Sequence, residues 1–209
     1  MNITEELAKK RLVPVLEITD VNQVDPISEI LLETGIGCAE ITFRTAAAAD
    51  AIRAMSQMYP EIITGAGTVL TKEQVDNALA AGAKFLVSPG FDREVTSYAL
   101  SKNAVIFPGI ITPSELQGAL SLGLDHVKFF PAEAAGGLKM IKALSAPYGA
   151  VRFMPTGGIN AGNIKEYLSF DKIFACGGSW MISKALLKEG DYDTIRKLCK
   201  EARELVDSI

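Results

Sequence analysis

The chain of 209 residues is poor in the residue types on which most metal and redox chemistry depends. It has one histidine, His126, and three cysteines that lie far apart and outside any CxxC pair. Because catalytic zinc and iron sites normally use several histidines or a cysteine cluster, we expect no transition-metal centre. The odd, scattered cysteines also argue against structural disulfides and favour a reducing cytoplasm.

Long apolar runs and an excess of positive charge are lacking as well. No stretch reaches the roughly 18 apolar residues that a membrane-spanning helix needs, and the N-terminal segment lacks the order of a signal peptide. The formal net charge is -4 and no basic block occurs, so neither nucleic acid nor an anionic membrane is an expected partner. A small anionic substrate would have to be held by local hydrogen-bond donors.

The chain does contain a regular alternation of strand and helix patterns. Short β-branched or aromatic runs predict eight strands, at 12–18, 37–43, 61–66, 84–88, 104–108, 125–130, 150–155 and 172–176. Periodic segments between them, such as 72–81 and 114–122, predict helices, and 191–208 predicts a closing amphipathic helix. With no linker in between, the pattern predicts one domain over 1–209. We expect a (β/α)8 (TIM) barrel with an additional N-terminal helix, and a doubly wound open sheet is the alternative.

Several predicted helices carry capping signals at their ends. Glycine stands directly before the next strand at Gly35, Gly82 and Gly123, where a left-handed residue closes a helix. Thr71 and Thr112 are the predicted N-caps of the helices at 72–81 and 114–122.

One cation interrupts a predicted buried strand: Lys128, in the run HVKFFPA. Lysine is seldom buried, because removing its charge from water is costly unless the charge is paired or lost. Burial in general lowers the pKa of a lysine, and a neutral amine can attack a ketone carbonyl to form a Schiff base. The alternative is a lysine at the strand end, with its stem on apolar surface and its ammonium group in water.

Other polar residues recur in phase at the ends of the predicted strands. Residues two apart on a strand share a face, so Glu40 and Arg44 lie together on the second strand, while Thr68 follows the third and Thr156 ends the seventh. If these faces point inward, the four residues meet Lys128 at the carboxyl ends of the strands, where barrel enzymes bind substrates. Glu40 would then move protons, and Arg44 would hold a carboxylate. The alternatives are a structural ion pair for Glu40 and a surface position for Arg44.

Glycine-rich turns are predicted after the last two strands, at 156–159 (TGGI) and 177–180 (GGSW). Paired turns at these places commonly bind phosphate through backbone N–H groups and the N-terminus of a short helix. A third predicted turn, GAGT at 65–68, brings backbone close to the site. We expect Cys38 and Cys176 to be small buried apolar groups and His126 to be structural.

Seven segments together resemble the bacterial KHG/KDPG aldolases, class I aldolases of 2-keto-3-deoxy-6-phosphogluconate. They are EITFR (40–44), GAGT (65–68), SPG (88–90), PG (108–109), KFFPAE (128–133), PTGGI (155–159) and GGSW (177–180). The resemblance covers essentially the whole chain. It implies a metal-independent lyase with a barrel fold, usually a homotrimer. Such enzymes release pyruvate and glyceraldehyde 3-phosphate in the last step of the Entner–Doudoroff route, and many also split 4-hydroxy-2-oxoglutarate into pyruvate and glyoxylate.

The resemblance also implies roles for individual positions. Lys128 matches the Schiff-base lysine, whose imine with the substrate takes the place of a cofactor, and Glu40 matches the general acid and base. The expected substrate-binding residues are Arg44 and Thr68 for the pyruvyl carboxylate, Pro89 and Phe130 for the pyruvyl pocket, and Thr156, Gly157, Gly158, Gly178 and Ser179 for the tail and its phosphate. Some relatives carry a basic residue where this chain has Glu17, so phosphate binding would depend more on the glycine turns.

Two alternative functions remain open from the sequence. One is a phosphate-binding barrel enzyme of another reaction class, which would share the glycine turns but would not need a lysine within KFF. The other is a non-catalytic phosphosugar-binding barrel, which would have no reason to keep both Lys128 and Glu40.

Overall fold

The computed structural model describes residues 2–209, and every strand pairing within them is parallel. The strands in this range are β1 Leu12–Leu16, β2 Cys38–Thr42, β3 Ile63–Gly67, β4 Phe85–Val87, β5 Ile106–Phe107, β6 Gly109–Ile110, β7 His126–Phe129, β8 Arg152–Pro155 and β9 Cys176–Gly178. They form a six-stranded sheet in the order β5-β4-β3-β2-β1-β9 and a three-stranded sheet in the order β6-β7-β8. Parallel strands with helices between them define an α/β fold.

Within the described range, helices connect successive strands except between β5 and β6, which only Pro108 separates. They are α1 Ile3–Lys10, α2 Val24–Glu33, α3 Ala48–Met58, α4 Lys72–Ala80, α5 Arg93–Ser101, α6 Pro113–Ser121, α7 Gly137–Ser145, α8 Ile164–Leu168, α9 Lys184–Glu189 and α10 Tyr192–Asp207, with short 3-10 segments at Val21–Gln23 and Trp180–Ile182. The expected N-terminal helix is therefore present as α1, and its Leu7 is fully buried in the core. Among residues 2–209, no helix has the length and apolarity that a membrane crossing would require.

The predicted helix ends are confirmed by their cap geometry. Gly35, Gly82 and Gly123 have φ angles of +73°, +96° and +80°, the left-handed conformation expected of closing glycines. The Thr71 hydroxyl accepts a hydrogen bond from the Gln74 N–H at 3.1 Å. Thr112 forms a complete capping box with Glu115 at the start of α6.

The predicted fifth strand, 104–108, is instead two short strands on either side of Pro108. Proline has no N–H to donate, so the hydrogen-bond ladder is interrupted there. β5 pairs with β4, whereas β6 pairs with β7, and the Pro108 carbonyl accepts a hydrogen bond from the Lys128 N–H at 2.9 Å. The proline is thus the point at which the chain passes from one sheet to the other.

Two pairs of glycines lie within strands, although the sequence predicted turns at both places. Gly65 and Gly67 belong to β3, and Gly177 and Gly178 belong to β9, so the predicted strand at 172–176 overlaps β9 only at Cys176. The physical reason is close packing between neighbouring strands. A Cβ at Gly65 would overlap the Phe85 ring, and one at Gly177 would lie 3.1 Å from Thr156 Cγ2 and closer still to its hydroxyl.

Aromatic side chains fill the core near the amino ends of the strands. The Phe107 ring centroid lies 6.1 Å from that of Phe85 and 5.4 Å from that of Phe174, and the Phe174 ring lies 5.0 Å from His126, which meets it edge-on. His126 Nδ1 also lies 2.7 Å from Asp125 Oδ1. These contacts agree with a structural role for this histidine.

All three cysteines are buried and unpaired, and burial is the main cause of their raised thiol pKa values. Burial raises the pKa of Cys38 and that of Cys199 to about 12 in each case, and it raises the pKa of Cys176 even further. The Cys38 thiol donates to the Leu12 carbonyl at 3.1 Å. Cys38 and Cys176 are therefore small core groups, as expected.

We expect the native protein to resist alkylation at about pH 8, because only the thiolate reacts and the folded state holds these thiols protonated and covered. Iodoacetamide labelling, followed by intact mass spectrometry, should show three modified cysteines in urea and almost none without it. Rapid labelling of the native protein at Cys38 would contradict this burial.

Candidate active site

A buried ion pair joins the two sheets at Lys128 of β7 and Glu40 of β2. Lys128 Nζ donates to Glu40 Oε1 at 3.4 Å, and the side chains are only 5% and 0% exposed. Removing two charges from water is costly, and losing one partner of such a pair typically destabilises a protein by about 3–5 kcal/mol. The expectation that Lys128 is shielded from solvent beside an acid is confirmed.

The second carboxylate oxygen of Glu40 is free. Oε2 is buried and has no hydrogen-bond partner among the described residues. A buried acceptor without a partner costs about 1–3 kcal/mol, and such groups are concentrated where a ligand or a reacting group completes the bonding. Glu40 therefore keeps an unused acceptor next to the amine, which suits proton transfer to and from a bound molecule.

Gly67 makes room for the Glu40 side chain. A Cβ at Gly67 would lie 2.6 Å from Glu40 Cγ and 2.7 Å from Cδ, well inside van der Waals contact. Gly67 is paired in register with Thr42, two residues beyond Glu40 on the neighbouring strand. Glycine at this position thus allows the carboxylate to lie across β3, towards Lys128.

Phe130 covers the amine on its other side. Lys128 Nζ lies 5.1 Å from the centre of the Phe130 ring, a cation–π distance at which the ring face attracts the ammonium group. The ring is half-buried and lines the adjoining cavity. Phe130 therefore lies between the cavity lining, to which it belongs, and the amine, without providing a competing charge.

Arg44 and Thr68 meet at the carboxyl ends of β2 and β3. Arg44 Nε donates to Thr68 Oγ1 at 3.2 Å, and Arg44 is exposed, with its guanidinium group free to form further bonds. Thr68 has a φ of +55°, which is strained for a β-branched residue. Backbone strain of this kind is concentrated at functional sites, and here it accompanies a hydroxyl held against a guanidinium group.

The Pro89 backbone packs closely against Gly109 of β6. A Cβ at Gly109 would overlap the Pro89 carbonyl and lie 2.8 Å from the Gly90 nitrogen. Gly109 is paired in register with Lys128, so the Pro89 backbone lies one strand away from the buried lysine.

A cavity of about 220 Å³ opens beside the ion pair. Its lining consists of Val15, Arg44, Phe130, Thr156, Gly157, Gly158, Ile159, Gly178 and Ser179. The predicted tail residues are thus brought together in the lining, whereas Lys128, Glu40, Thr68 and Pro89 are not lining residues. Phe130, whose ring centre lies 5.1 Å from Lys128 Nζ, connects the cavity to the ion pair. Val15 and Ile159 also line the cavity. They were not predicted to do so, because in the sequence they are only apolar residues of a strand and a turn.

Two further residues support the Gly157–Gly158 turn. The Glu133 N–H donates to the Gly157 carbonyl at 3.0 Å, and the Tyr167 hydroxyl donates to Glu133 Oε1. Burial, together with the Glu133 carboxylate, raises the pKa of Tyr167, so the phenol remains the donor. Neither residue was predicted from the sequence to have a role, although Glu133 lies within the KFFPAE segment.

A larger cavity of about 620 Å³ lies elsewhere, along α2 and α10. Its walls are mostly charged surface side chains such as Glu33 and Arg196, and none of the predicted site residues lines it. The smaller cavity is therefore the candidate site, since Phe130 of its lining contacts Lys128 and most of the predicted substrate-binding residues line it.

A buried amine paired with a carboxylate, beside a small cavity at the carboxyl ends of parallel strands, defines an enzyme of the Schiff-base class. The family model for KDPG and KHG aldolases matches residues 3–198. The chain belongs to this aldolase family.

Individual relatives agree with this assignment over nearly their full lengths. The chain is 44% identical to 2-dehydro-3-deoxy-phosphogluconate aldolase of Treponema pallidum, over 99% of this chain and 98% of that protein. It is 42% identical to the KHG/KDPG aldolase of Escherichia coli K12, over 92% and 91%. Among solved structures, the KDPG aldolase of Legionella pneumophila, with pyruvate captured at low pH as a covalent carbinolamine intermediate, has a TM-score of 0.91 at 37% identity, covering 96% of this chain and 97% of that one.

We expect Gly67→Ala to lower the free energy of unfolding by about 1–3 kcal/mol, because the added methyl group must displace the Glu40 side chain in a packed core. Gly149→Ala is the matched control, since a Cβ there meets nothing within 4 Å and its φ is not positive. Urea denaturation of both variants measures the difference. Equal stability of the two variants would show that Gly67 does not accommodate Glu40.

Proposed function

We propose that the protein cleaves 2-keto-3-deoxy-6-phosphogluconate to pyruvate and glyceraldehyde 3-phosphate through an imine on Lys128. The observation that carries the proposal is the contact between the buried amine and the buried carboxylate in a chain of the KDPG and KHG aldolase family. The carbinolamine of pyruvate in the Legionella pneumophila relative supports the same covalent route.

The first chemical steps use Lys128 as nucleophile. Its neutral amine adds to the C2 ketone of the substrate, and the carbinolamine loses water to give a protonated imine. The positively charged nitrogen then accepts the electron pair that is released at C3, so the reaction needs neither a metal nor a separate cofactor. Phe130, over the amine, keeps bulk water away from this centre.

Glu40 moves the protons. It takes the proton of the C4 hydroxyl, directly or through a water, as the C3–C4 bond breaks. The bond electrons form the enamine, and glyceraldehyde 3-phosphate leaves. Glu40 then returns a proton to C3, and hydrolysis of the imine releases pyruvate and the free amine. The free Oε2 of Glu40 supports this role, because it is the one acceptor in the buried pair with no protein partner among the described residues.

The remaining predicted residues divide into two groups around the cavity. Arg44 and Thr68 would hold the pyruvyl carboxylate, for which a guanidinium group is the natural partner, while Pro89 and Phe130 bound the pyruvyl pocket. Thr156, Gly157, Gly158, Gly178 and Ser179 would bind the tail and its phosphate; their common presence in the lining of one cavity supports this. The 4-hydroxy-2-oxoglutarate reaction is a second proposed activity, supported by the KHG/KDPG name of the Escherichia coli relative.

We also propose that the two sheets form one closed (β/α)8 barrel, in a single domain that assembles as a homotrimer in the cytoplasm. Isolated parallel bridges from Phe153 to Ile173 and from Thr156 to Gly177 support closure between β8 and β9, and Pro108 connects the sheets on the other side. The unpaired cysteines support a reducing compartment. Light scattering of the purified protein tests the trimer.

Treatment with pyruvate and borohydride should form a stable adduct on Lys128, because reduction fixes the imine. Lys128→Ala should form no adduct and release no pyruvate in a coupled assay. Lys128→Arg, which keeps the charge beside Glu40 but has no nucleophilic amine, should behave in the same way. Lys102→Ala, at an exposed lysine, is the control and should retain the adduct. A parent protein without an adduct would favour a phosphate-binding barrel of another reaction class, and binding without turnover would favour a non-catalytic barrel.

Glu40→Gln should slow the exchange of pyruvate methyl protons with solvent deuterium by at least about a hundredfold, because the amide cannot accept the proton. Borohydride trapping should persist in this variant, since Lys128 is intact. Proton NMR of pyruvate in deuterium oxide measures the exchange. An unchanged exchange rate would remove Glu40 from the proposed role.

A further inference from the structure

A second ion pair lies close to the cavity, between Glu17 and Lys184. Lys184, the first residue of α9, donates through Nζ to Glu17 Oε1. The Glu17 side chain is 23% exposed and that of Lys184 is 68% exposed. The pair is thus open to solvent on the lysine side and partly covered on the carboxylate side.

Glu17 faces the same side as the cavity wall. It directly follows β1 and lies two residues beyond Val15, which lines the cavity. Burial alternates along this segment: Leu16 and Ile18 are fully buried, whereas Val15 and Glu17 are half-buried. Because alternate residues of an extended segment share a face, Glu17 lies on the same face of this segment as Val15, although Glu17 is not itself a lining residue.

Lys184 lies on α9, which follows the neighbouring strand β9 in the chain. β9 pairs with β1, and the lining residues Gly178 and Ser179 precede α9 by a few positions. The Glu17–Lys184 pair is therefore outside the lining itself but close in the chain to the lining residues Val15, Gly178 and Ser179.

The proposed tail-binding residues of the lining carry no charge of their own. Arg44 is the one ionisable residue among the described lining residues, and it contacts Thr68 at the proposed carboxylate end. Lys184 is the nearby cation on the β1 and β9 side, and Glu17 neutralises it. A phosphate monoester, with a charge of about −1.5 to −2 at neutral pH, would be attracted by Lys184 and repelled by Glu17.

We propose that Glu17 is a specificity-determining residue that restrains Lys184, so that the pair sets how strongly the site prefers a phosphorylated tail. The inference rests on the proposed aldolase function. A purely structural role, in which the pair only ties β1 to α9, makes a different prediction. Loss of either partner would then have the same effect, whereas charge recognition requires effects of opposite sign.

The test compares KM for 2-keto-3-deoxy-6-phosphogluconate with KM for its dephosphorylated form, 2-keto-3-deoxygluconate, from pyruvate release. Glu17→Gln should lower KM for the phosphorylated substrate by about threefold to tenfold, and Lys184→Met should raise it by a similar factor. KM for the dephosphorylated substrate should change little in both variants. The opposite shifts should shrink as salt is added, because both side chains are partly exposed.

Lys72→Met is the matched control. Lys72 also forms an exposed ion pair, with Glu94, but this pair joins α4 to α5 and has no connection to β1 or β9. Shifts of the same sign in Glu17→Gln and Lys184→Met, equal shifts for both substrates, or no shift at all would overturn the inference. In each of these cases pyruvate trapping on Lys128 would leave the aldolase function standing, whereas absence of trapping in the parent protein would refute that function itself.

Discussion

The buried contact between Lys128 and Glu40 is the interaction on which the rest of the site depends. It joins a strand of the three-stranded sheet to a strand of the six-stranded one, at a place where water is excluded. An ion pair in such surroundings is not a source of stability, because the cost of desolvation offsets the attraction. What the arrangement provides is chemical: an amine and a carboxylate held 3.4 Å apart, with one carboxylate oxygen free for a substrate.

Glycines create the space in which these groups lie. At Gly67, Gly109 and Gly177, a Cβ would overlap Glu40, the Pro89 carbonyl and Thr156, respectively. In each case the missing side chain of one strand allows a functional group of its neighbour to approach the backbone. A packed protein interior does not yield easily to an added methyl group, so the site geometry depends on glycine at these positions.

Charge is distributed unevenly around the cavity. The protein has a formal net charge of -4, so its overall field does not attract an anionic substrate. Local groups must do so instead, and they differ at the two ends: Arg44 is available for further bonds beside Thr68, whereas Lys184 is already engaged by Glu17. Under the proposed function, a keto acid with a charged tail would meet a free guanidinium group at its carboxylate end and a neutralised ion pair near its other end.

The sequence by itself determined the alternation of strands and helices, the capping residues such as Thr71 and Gly82, and the polar residues in phase with Lys128, because periodicity and capping are local properties. It misplaced the strand at 172–176 and read the glycines of β3 and β9 as turns, since glycine composition cannot distinguish a turn from close strand packing. Only the tertiary structure decided which side chains meet. The approach of Lys128 to Glu40, the fit of Gly67 and the pairing of Glu17 with Lys184 join residues distant in sequence, and such contacts depend on how the strands pack.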